Sequence, residues 1–183
     1  MVKRIAALAL AVCMALPLFG CGGRIEAQCL TNGITAQTID TRTDLTGDST
    51  AVMDFAAALL RQTTDEEGVL LSPVSLLYAL GMTANGASGE TLAQLEQVTG
   101  MTRDALNDYL YTYRMSLPEN TKKCKLSLAN SLWVRDSFRM EDSFLDACVS
   151  YYDAEVYRSA FDATMVRDLN HWVDSCLLYT SPS

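Results

Sequence analysis

The chain contains a single histidine, His171, and lacks the short motifs that mark common catalytic sites. It has no Gly-x-Ser-x-Gly turn, no glycine-rich phosphate-binding loop and no His-Glu-x-x-His pair. Serine hydrolases of that type, nucleotide-dependent enzymes and zinc peptidases need those motifs, because each fixes a nucleophile, a phosphate or a metal in place. We therefore predict that the protein is not an enzyme and that it holds no cofactor or metal.

Positive charge is also scarce, with 14 basic residues against 22 acidic ones and a net charge of −8. Removing a leader that carries Lys3 and Arg4 takes two of the 14 away and leaves 12. This balance excludes nucleic acid as a partner, because phosphate recognition needs clustered lysine and arginine. The basic run at 122–125 is short and is typical of a solvated loop.

The six cysteines include no Cys-x-x-Cys pair, which excludes a zinc site of the usual spacing. Cys13 lies in the leader, and Cys148 lies on the apolar face of a predicted helix, where we expect a core thiol. A bridge between Cys29 and Cys124 remains open, because an oxidising compartment would permit it.

Residues 1–20 are typical of a secretory leader, with Lys3 and Arg4 before the apolar stretch Ile5–Leu18. The stretch is too short for a transmembrane helix. It ends in Leu18-Phe19-Gly20-Cys21, which resembles the bacterial lipoprotein cleavage box, and so we predict lipidation of Cys21. The lipid would anchor the protein on the outer face of a membrane. Ordinary secretion into the extracellular space is the alternative.

Residues 21–47 have no hydrophobic period, and we predict a flexible tether there. A domain follows over 48–175. The predicted helices start at Asp48 or Ser49, at Ser72-Pro73, at Ser88 and at Thr102, where hydroxyl and carboxylate side chains can cap a first turn. Val69–Leu71 is predicted to be a short buried strand.

The pattern changes to alternation at Leu126–Val134, which predicts a strand with Asn130 in its apolar row. Asn130 either joins a buried hydrogen-bond network or lies at an exposed edge. A helix around Cys148, a strand at Ala154–Arg158 and a last helix capped by Asp162 follow. The fold class is therefore α+β, mostly helical.

Several motifs occur together in a characteristic order. They are Leu71-Ser72-Pro73-Val74-Ser75, Gly86-Ala87-x-Gly89-x-Thr91, Ala129-Asn130-Ser131-Leu132-Trp133-Val134, Phe161-Asp162 and Leu169-Asn170-His171-Trp172-Val173, with Phe55 and Phe144 at matching positions. This series resembles the amino-terminal half of serpins, which are protease inhibitors with a large central sheet. The resemblance implies the helices and a few strands of that mixed sheet, left incomplete.

The resemblance implies that the intact protein, a monomer when complete, traps a serine or cysteine protease by inserting a cleaved loop into its sheet. It assigns Ser72, Ser75, Asn130 and Asn170 to the region beneath the sheet that must let strands separate. From the residues alone, the favoured interpretation is that Ser72 is a helix cap and Ser75 a polar residue of the first turn, and only the resemblance reverses it. A non-inhibitory surface binding protein is the alternative function.

The last eight residues, Cys176-Leu177-Leu178-Tyr179-Thr180-Ser181-Pro182-Ser183, depart from the serpin pattern. We expect 176–183 to be a non-native tail after a truncation near Ser175. The reactive loop would then be absent, which leaves this fragment inactive and leaves open whether it folds alone.

Overall fold

Six helices and three short strands make up the part of the chain that the structure, a computed structural model, describes: residues 25–42, 44–63, 68–118, 120 and 126–176. The helices are α1 (Thr46–Gln62), α2 (Pro73–Asn85), α3 (Gly89–Thr99), α4 (Arg103–Ser116), α5 (Asp142–Tyr152) and α6 (Ala163–Cys176). The strands are β1 (Gln28–Cys29), β2 (Asn130–Arg135) and β3 (Ala154–Ser159).

The strands form one mixed sheet in the order β1-β3-β2. β2 and β3 run parallel, with Asn130 opposite Ala154 and Arg135 opposite Ser159. A parallel pair needs a crossover connection, and α5 supplies it. β1 lies antiparallel on the other side of β3, so β2 keeps one edge without a strand partner among the described residues.

The flexible tether predicted for 21–47 is wrong for the described part of that segment. β1 pairs with β3, and backbone N–H groups further along bond to the domain. These bonds are Leu30 N to Val156 O, Gln37 N to Ser150 Oγ and Arg42 N to Thr112 Oγ1. Backbone groups make these bonds whatever the side chains are. The bonds therefore produce no hydrophobic period, and composition could not reveal them.

The apolar core lies where α2, α4 and α5 pack against one another and against β3. Its most deeply buried side chains are Leu77, Leu106, Leu110, Cys148, Tyr152 and Val156. Cys148 is thus the core thiol that the sequence predicts. Burial raises the pKa of Cys148 to about 12, so the thiolate does not form at neutral pH and the sulfur is unreactive.

Three of the predicted helix caps are confirmed. Ser72 Oγ accepts from Ser75 N at 3.3 Å, and Thr102 Oγ1 accepts from Ala105 N at 3.3 Å. Asp162 Oδ1 accepts from the backbone of the first turn of α6. Each cap satisfies an N–H group that has no partner within the helix.

At two other helices the structure differs from the predicted cap. α1 begins at Thr46 rather than after Asp48 or Ser49, and its N-cap Leu45 makes no side-chain bond. Asp48 instead lies in the first turn, where a carboxylate favours the helix dipole, and it pairs with Arg42 at 2.7 Å. Ser88 is the N-cap of α3, but its hydroxyl makes no capping bond.

Two strand predictions also differ from the structure. One is the strand before α2, and the other is the part of the predicted strand that precedes Asn130. Val69–Leu71 is not a strand, and Leu70 is 99% exposed. Residues 126–129 precede the sheet, because β2 starts where β3 offers a partner, at Ala154. An apolar alternation becomes a strand only where a neighbouring strand completes its hydrogen bonds.

Several predictions fall outside the described residues. These are the leader at 1–20, the lipidation site Cys21, the basic run with Cys124, and residues 177–183 of the proposed tail. Cys29 has a free thiol. Cys176, the first residue of that proposed tail, lies within α6. Among the described helices, none has the length and apolar content needed to cross a membrane.

Candidate functional site

A cleft of about 560 Å³ opens between α2, the start of β2 and the end of α6. Ser75 and Tyr78 line it from α2, Asn130 from β2, and Trp172 and Cys176 from α6. The cleft therefore lies against the strand whose outer edge has no partner among the described residues. Its walls combine apolar surface with hydroxyl and amide groups, so it can receive backbone as well as side chains.

Ser75, which lines the cleft, is bonded to Ser72 at the start of α2. Their hydroxyl oxygens are 2.7 Å apart, and Ser72 Oγ also accepts from Ser75 N. Pro73 between them holds the first turn of α2 in helical geometry and has no N–H to satisfy. The pair is a helix cap in this structure, and both serine side chains are exposed.

The sequence allowed Asn130 either a hydrogen bond inside the fold or a place at an exposed edge, and the structure shows a hydrogen bond. Its side-chain Nδ2 donates to Tyr152 O at 2.9 Å. Tyr152 is the last residue of α5, where carbonyl groups lack partners within the helix. Asn130 therefore ties the first residue of β2 to the end of the crossover helix, and it lines the cleft at the same time.

Tyr152 belongs to a polar network that sequence analysis did not predict. Its hydroxyl donates to Asn107 Oδ1, and the Asn85 and Asn107 amides exchange bonds of 2.8 and 3.0 Å. Asn85 Nδ2 also donates to Gly81 O at 2.8 Å. The network joins α2, α4 and α5 inside the core. Its members lie 22 to 67 residues apart in the sequence, and no local pattern connects them.

Two tyrosines of this region resist ionisation. Burial raises the pKa of Tyr78 to about 12, and burial also raises the pKa of Tyr152. Tyr78 donates its hydroxyl hydrogen to Leu110 O at 2.9 Å, and its ring meets Tyr152 edge-on with centroids 6.0 Å apart. Both hydroxyls therefore serve as fixed hydrogen-bond donors rather than as proton carriers.

α6 forms the third wall of the cleft. Trp172 Nε1 donates to Glu155 Oε2 on β3, which attaches α6 to the sheet. Asn170 on the same helix is exposed and does not line the cleft. Of the four residues assigned by resemblance, Ser75 and Asn130 line the cleft, Ser72 contacts it only through its bond to Ser75, and Asn170 lies outside it.

Within the described ranges, no group of three or more histidine, cysteine, aspartate or glutamate side chains could hold a metal ion. His171 lies on α6, half-buried between the exposed Asn170 and the half-buried Trp172. The side chains that line the cleft can offer hydrogen bonds and apolar contact.

Comparison with known proteins identifies the fold. A model of the family described as serpin (serine protease inhibitor) matches residues 50–176. The chain belongs to the serpin family. The sequence-based fold class, α+β with the helices and a few strands of an incomplete mixed sheet, is confirmed by this match and by the similarity to solved serpins.

Three related proteins show how far the similarity extends. The thermophilic serpin tengpin in its native state shares 38% identity at a TM-score of 0.76, over 82% of this chain and 40% of tengpin. Neuroserpin of Gallus gallus is 32% identical over 63% of this chain and 30% of its own length. Corticosteroid-binding globulin of Oryctolagus cuniculus is 28% identical over 75% of this chain and 38% of its own length.

The chain spans about a third of the length of the curated relatives that it matches. Serpins are generally inhibitors and not catalytic enzymes, which agrees with the lack of catalytic motifs in the sequence. The shared portion includes α2, β2 and α6, the elements that line the cleft.

Proposed function

We propose that the intact protein is a serpin-type inhibitor that traps a serine or cysteine protease by inserting a cleaved loop into its central sheet. The observations that support the proposal are the serpin family match over residues 50–176 and a cleft beside β2, whose outer edge has no strand partner among the described residues. An open strand edge presents N–H and C=O groups that another strand can pair with. β2 and β3 would then be two strands of the sheet that expands.

The residues around the cleft support a role in letting the sheet open. Asn130 ties the start of β2 to the end of α5 through one side-chain bond of 2.9 Å. Ser72 and Ser75 hold the first turn of α2 through exposed hydroxyls. We assign Ser72, Ser75 and Asn130 to this gating role. Asn170 belongs to it only if α6 shifts across the sheet, because its side chain is exposed here.

The test is complex formation by the protein encoded by the complete gene. We expect incubation with a panel of trypsin-, chymotrypsin- and subtilisin-like proteases, and a papain-like one, to give a one-to-one complex that survives denaturing electrophoresis. Such a complex reports an acyl-enzyme that is trapped before hydrolysis finishes. Cleavage of the protein without a trapped complex, for every protease tested, would contradict the inhibitory proposal.

A non-inhibitory binding protein is the second candidate. Corticosteroid-binding globulin is among the relatives, and its name describes a ligand-binding member of the family. The two candidates respond differently to loop cleavage. An inhibitor gains a strand and becomes more heat-stable, whereas a binding protein that cannot insert its loop melts at the same temperature before and after cleavage.

We further propose that Cys21 carries a lipid that anchors a monomeric protein on the outer face of a membrane. The leader at 1–20 and the Leu-Phe-Gly-Cys sequence at its end support this assignment. Lipidation adds a mass to the amino-terminal peptide and places the protein in the membrane fraction. Cys21→Ala should remove both, and an unmodified Cys21 in the wild-type protein would contradict the anchor. The acidic charge, −8 overall, argues against nucleic acid as a partner.

A further inference from the structure

Three large apolar side chains are exposed at the end of the sheet where β2 and β3 finish. Phe138 is 62% exposed, Phe161 is 41% exposed, and Val166 in the first turn of α6 is 60% exposed. We call Phe138, Phe161 and Val166 the sheet-end face. Exposed apolar groups that lie close together on a soluble domain mark contact with another apolar surface.

These side chains are held by the ends of the two strands. Phe138 N donates to Arg135 O in the turn after β2, and the guanidinium of Arg158 donates to Phe138 O at 3.3 Å. The guanidinium carbon of Arg135 lies 5.1 Å from the centre of the Phe161 ring. Phe161 itself has a φ of 59°, a left-handed conformation that bulky residues rarely adopt. The fold therefore keeps both rings at this edge rather than turning them into the core.

The amino-terminal segment is fixed at the same end. Asp168 on α6 is 1% exposed, and its Oδ2 accepts from Glu26 N at 3.0 Å and from Ala27 N at 2.8 Å. The Glu26 side chain pairs with Arg167, the residue after Val166, at 3.3 Å. Glu26 also lines a surface pocket with Asp162, the residue after Phe161. Glu26 is thus a fixed point beside the sheet-end face.

Cys21 is five residues before this fixed point. A fully extended chain advances at most about 3.6 Å per residue, so Cys21 stays within about 18 Å of Glu26. A lipid on Cys21 lies in the outer leaflet, and a tether this short holds the sheet-end face near the headgroups. Such tethering makes a weak apolar contact effectively intramolecular and therefore favourable.

The local charge around the sheet-end face permits its approach to a membrane surface. Basic and acidic groups are mixed there, with three arginines and four carboxylates: Arg135, Arg158 and Arg167 with Glu26, Asp136, Asp162 and Asp168. The chain as a whole has a net charge of −8, which anionic headgroups would repel. Aromatic rings such as those of Phe138 and Phe161 lie favourably at the boundary between headgroups and acyl chains.

We propose that the sheet-end face rests on the outer surface of the membrane that anchors the protein, with Phe138, Phe161 and Val166 in contact with lipid. This inference rests on the proposed lipidation of Cys21. The membrane contact would orient the domain so that the cleft beside β2, which opens near the start of that strand, points away from the bilayer. A soluble protease could then reach the anchored protein.

Hydroxyl-radical footprinting tests the contact on the lipidated full chain. The chain is reconstituted in vesicles of phosphatidylcholine with phosphatidylglycerol and compared with the same chain in detergent-free buffer after Cys21→Ala. We expect oxidation at Phe138, Phe161 and Val166 to fall at least threefold on vesicles. Val98, 58% exposed on α3, is the matched control for Val166 and should be unchanged.

Each outcome decides the proposal. Lipidated Cys21 with equal oxidation of Val166 and Val98 on vesicles overturns the membrane contact and leaves the anchor intact. An unlipidated Cys21 overturns both. Equal protection of every exposed side chain also contradicts the proposal, since it indicates aggregation. Oxidation of the buried Tyr152 would show that the sheet end is not folded, and this too counts against the contact. Phe161→Ser should restore oxidation of Val166 on vesicles, whereas Val98→Ser should not.

Discussion

The helical core and the cleft beside β2 differ in how completely they are closed. In the core, Tyr152 and Leu110 are fully buried, and the Asn85–Asn107–Tyr152 network satisfies the polar groups that enter it. Around the cleft, the residues at 126–129 are exposed and β2 is half-buried. The same sequence thus builds one region that excludes water and one that leaves backbone and apolar surface open.

The contrast indicates where the molecule can change. Packing in the core is dense, and any displacement there costs buried contacts. At the cleft, individual side-chain hydrogen bonds link neighbouring elements, such as Asn130 to Tyr152 O and Trp172 to Glu155. A structural change that needs a new strand therefore meets least resistance at the cleft.

The largest contrast should come from removing one aromatic ring from each region. Tyr152→Ala leaves a cavity and breaks the polar network, so we expect it to lower the free energy of unfolding by about 3–5 kcal/mol. Trp172→Ala removes a half-buried ring from the cleft, and we expect a loss below about 2 kcal/mol. Urea unfolding of both variants measures this contrast. Equal losses would contradict it.

High pH should act on the core through Tyr78. The pKa of Tyr78 is raised to about 12 in the fold, whereas an unfolded tyrosine titrates near pH 10. Between these values the unfolded chain has released a proton that the folded chain keeps, so rising pH favours unfolding. The stabilising contribution is complete below pH 10 and is lost as the pH rises towards 12, by about 1.4 kcal/mol per pH unit.

Urea midpoints at pH 8 to 11.5 check this dependence. Cys148, also with a pKa of about 12, adds to the slope from about pH 9. Tyr78→Phe keeps the ring and removes the titrating group, so its stability should fall less steeply above pH 10. An unchanged slope in Tyr78→Phe would show that Tyr78 does not titrate as the buried core requires.

A smaller effect is expected where a glycine lets two helices approach. A Cβ on Gly81 would lie 2.4 Å from the Tyr152 hydroxyl oxygen and 3.1 Å from ring atoms. Because Tyr152 is fully buried, it cannot move aside, and Gly81→Ala should cost about 1–3 kcal/mol. Gly47→Ala, also in a helix but with no atom within 4 Å, should be neutral or stabilising. Thermal unfolding distinguishes the two, and a neutral Gly81→Ala would mean that α2 and α5 are less closely packed.

The smallest effect concerns the serine caps. Ser72 caps α2 with its side chain, whereas Ser88 stands at the N-cap of α3 without a capping bond. We expect Ser72→Ala to lower the free energy of unfolding by about 1 kcal/mol and Ser88→Ala to lower it less. Chemical denaturation measures both. A larger loss at Ser88 would contradict the assigned caps.

Sequence patterns predicted most of the features that depend on neighbouring residues. The start of α2 follows from Ser72 and Pro73, and the cap of α4 follows from Thr102, because capping joins groups three residues apart. The resemblance to serpins supplied the arrangement of the elements. The resemblance also points to Ser75 and Asn130, and both side chains line the cleft.

Features that depend on distant residues were missed. β1 is bound into the fold through backbone groups, and such bonds do not depend on the side chains that composition reports. The Asn85–Asn107–Tyr152 network joins three helices, and a polar residue on a helix gives no sign of which distant amide it meets. Val69–Leu71 is apolar enough for a strand, but it has no strand partner among the described residues.

Amide hydrogen exchange of the folded chain, resolved by residue, tests most directly whether one region is closed and the other open. We predict slow exchange in α2, α4 and α5, and much faster exchange for 126–129 and for the β2 amides that point away from β3. Equal protection of both sets would contradict an open edge at β2. Rapid exchange throughout the chain would contradict the closed core and would favour a fragment that does not hold a fixed structure.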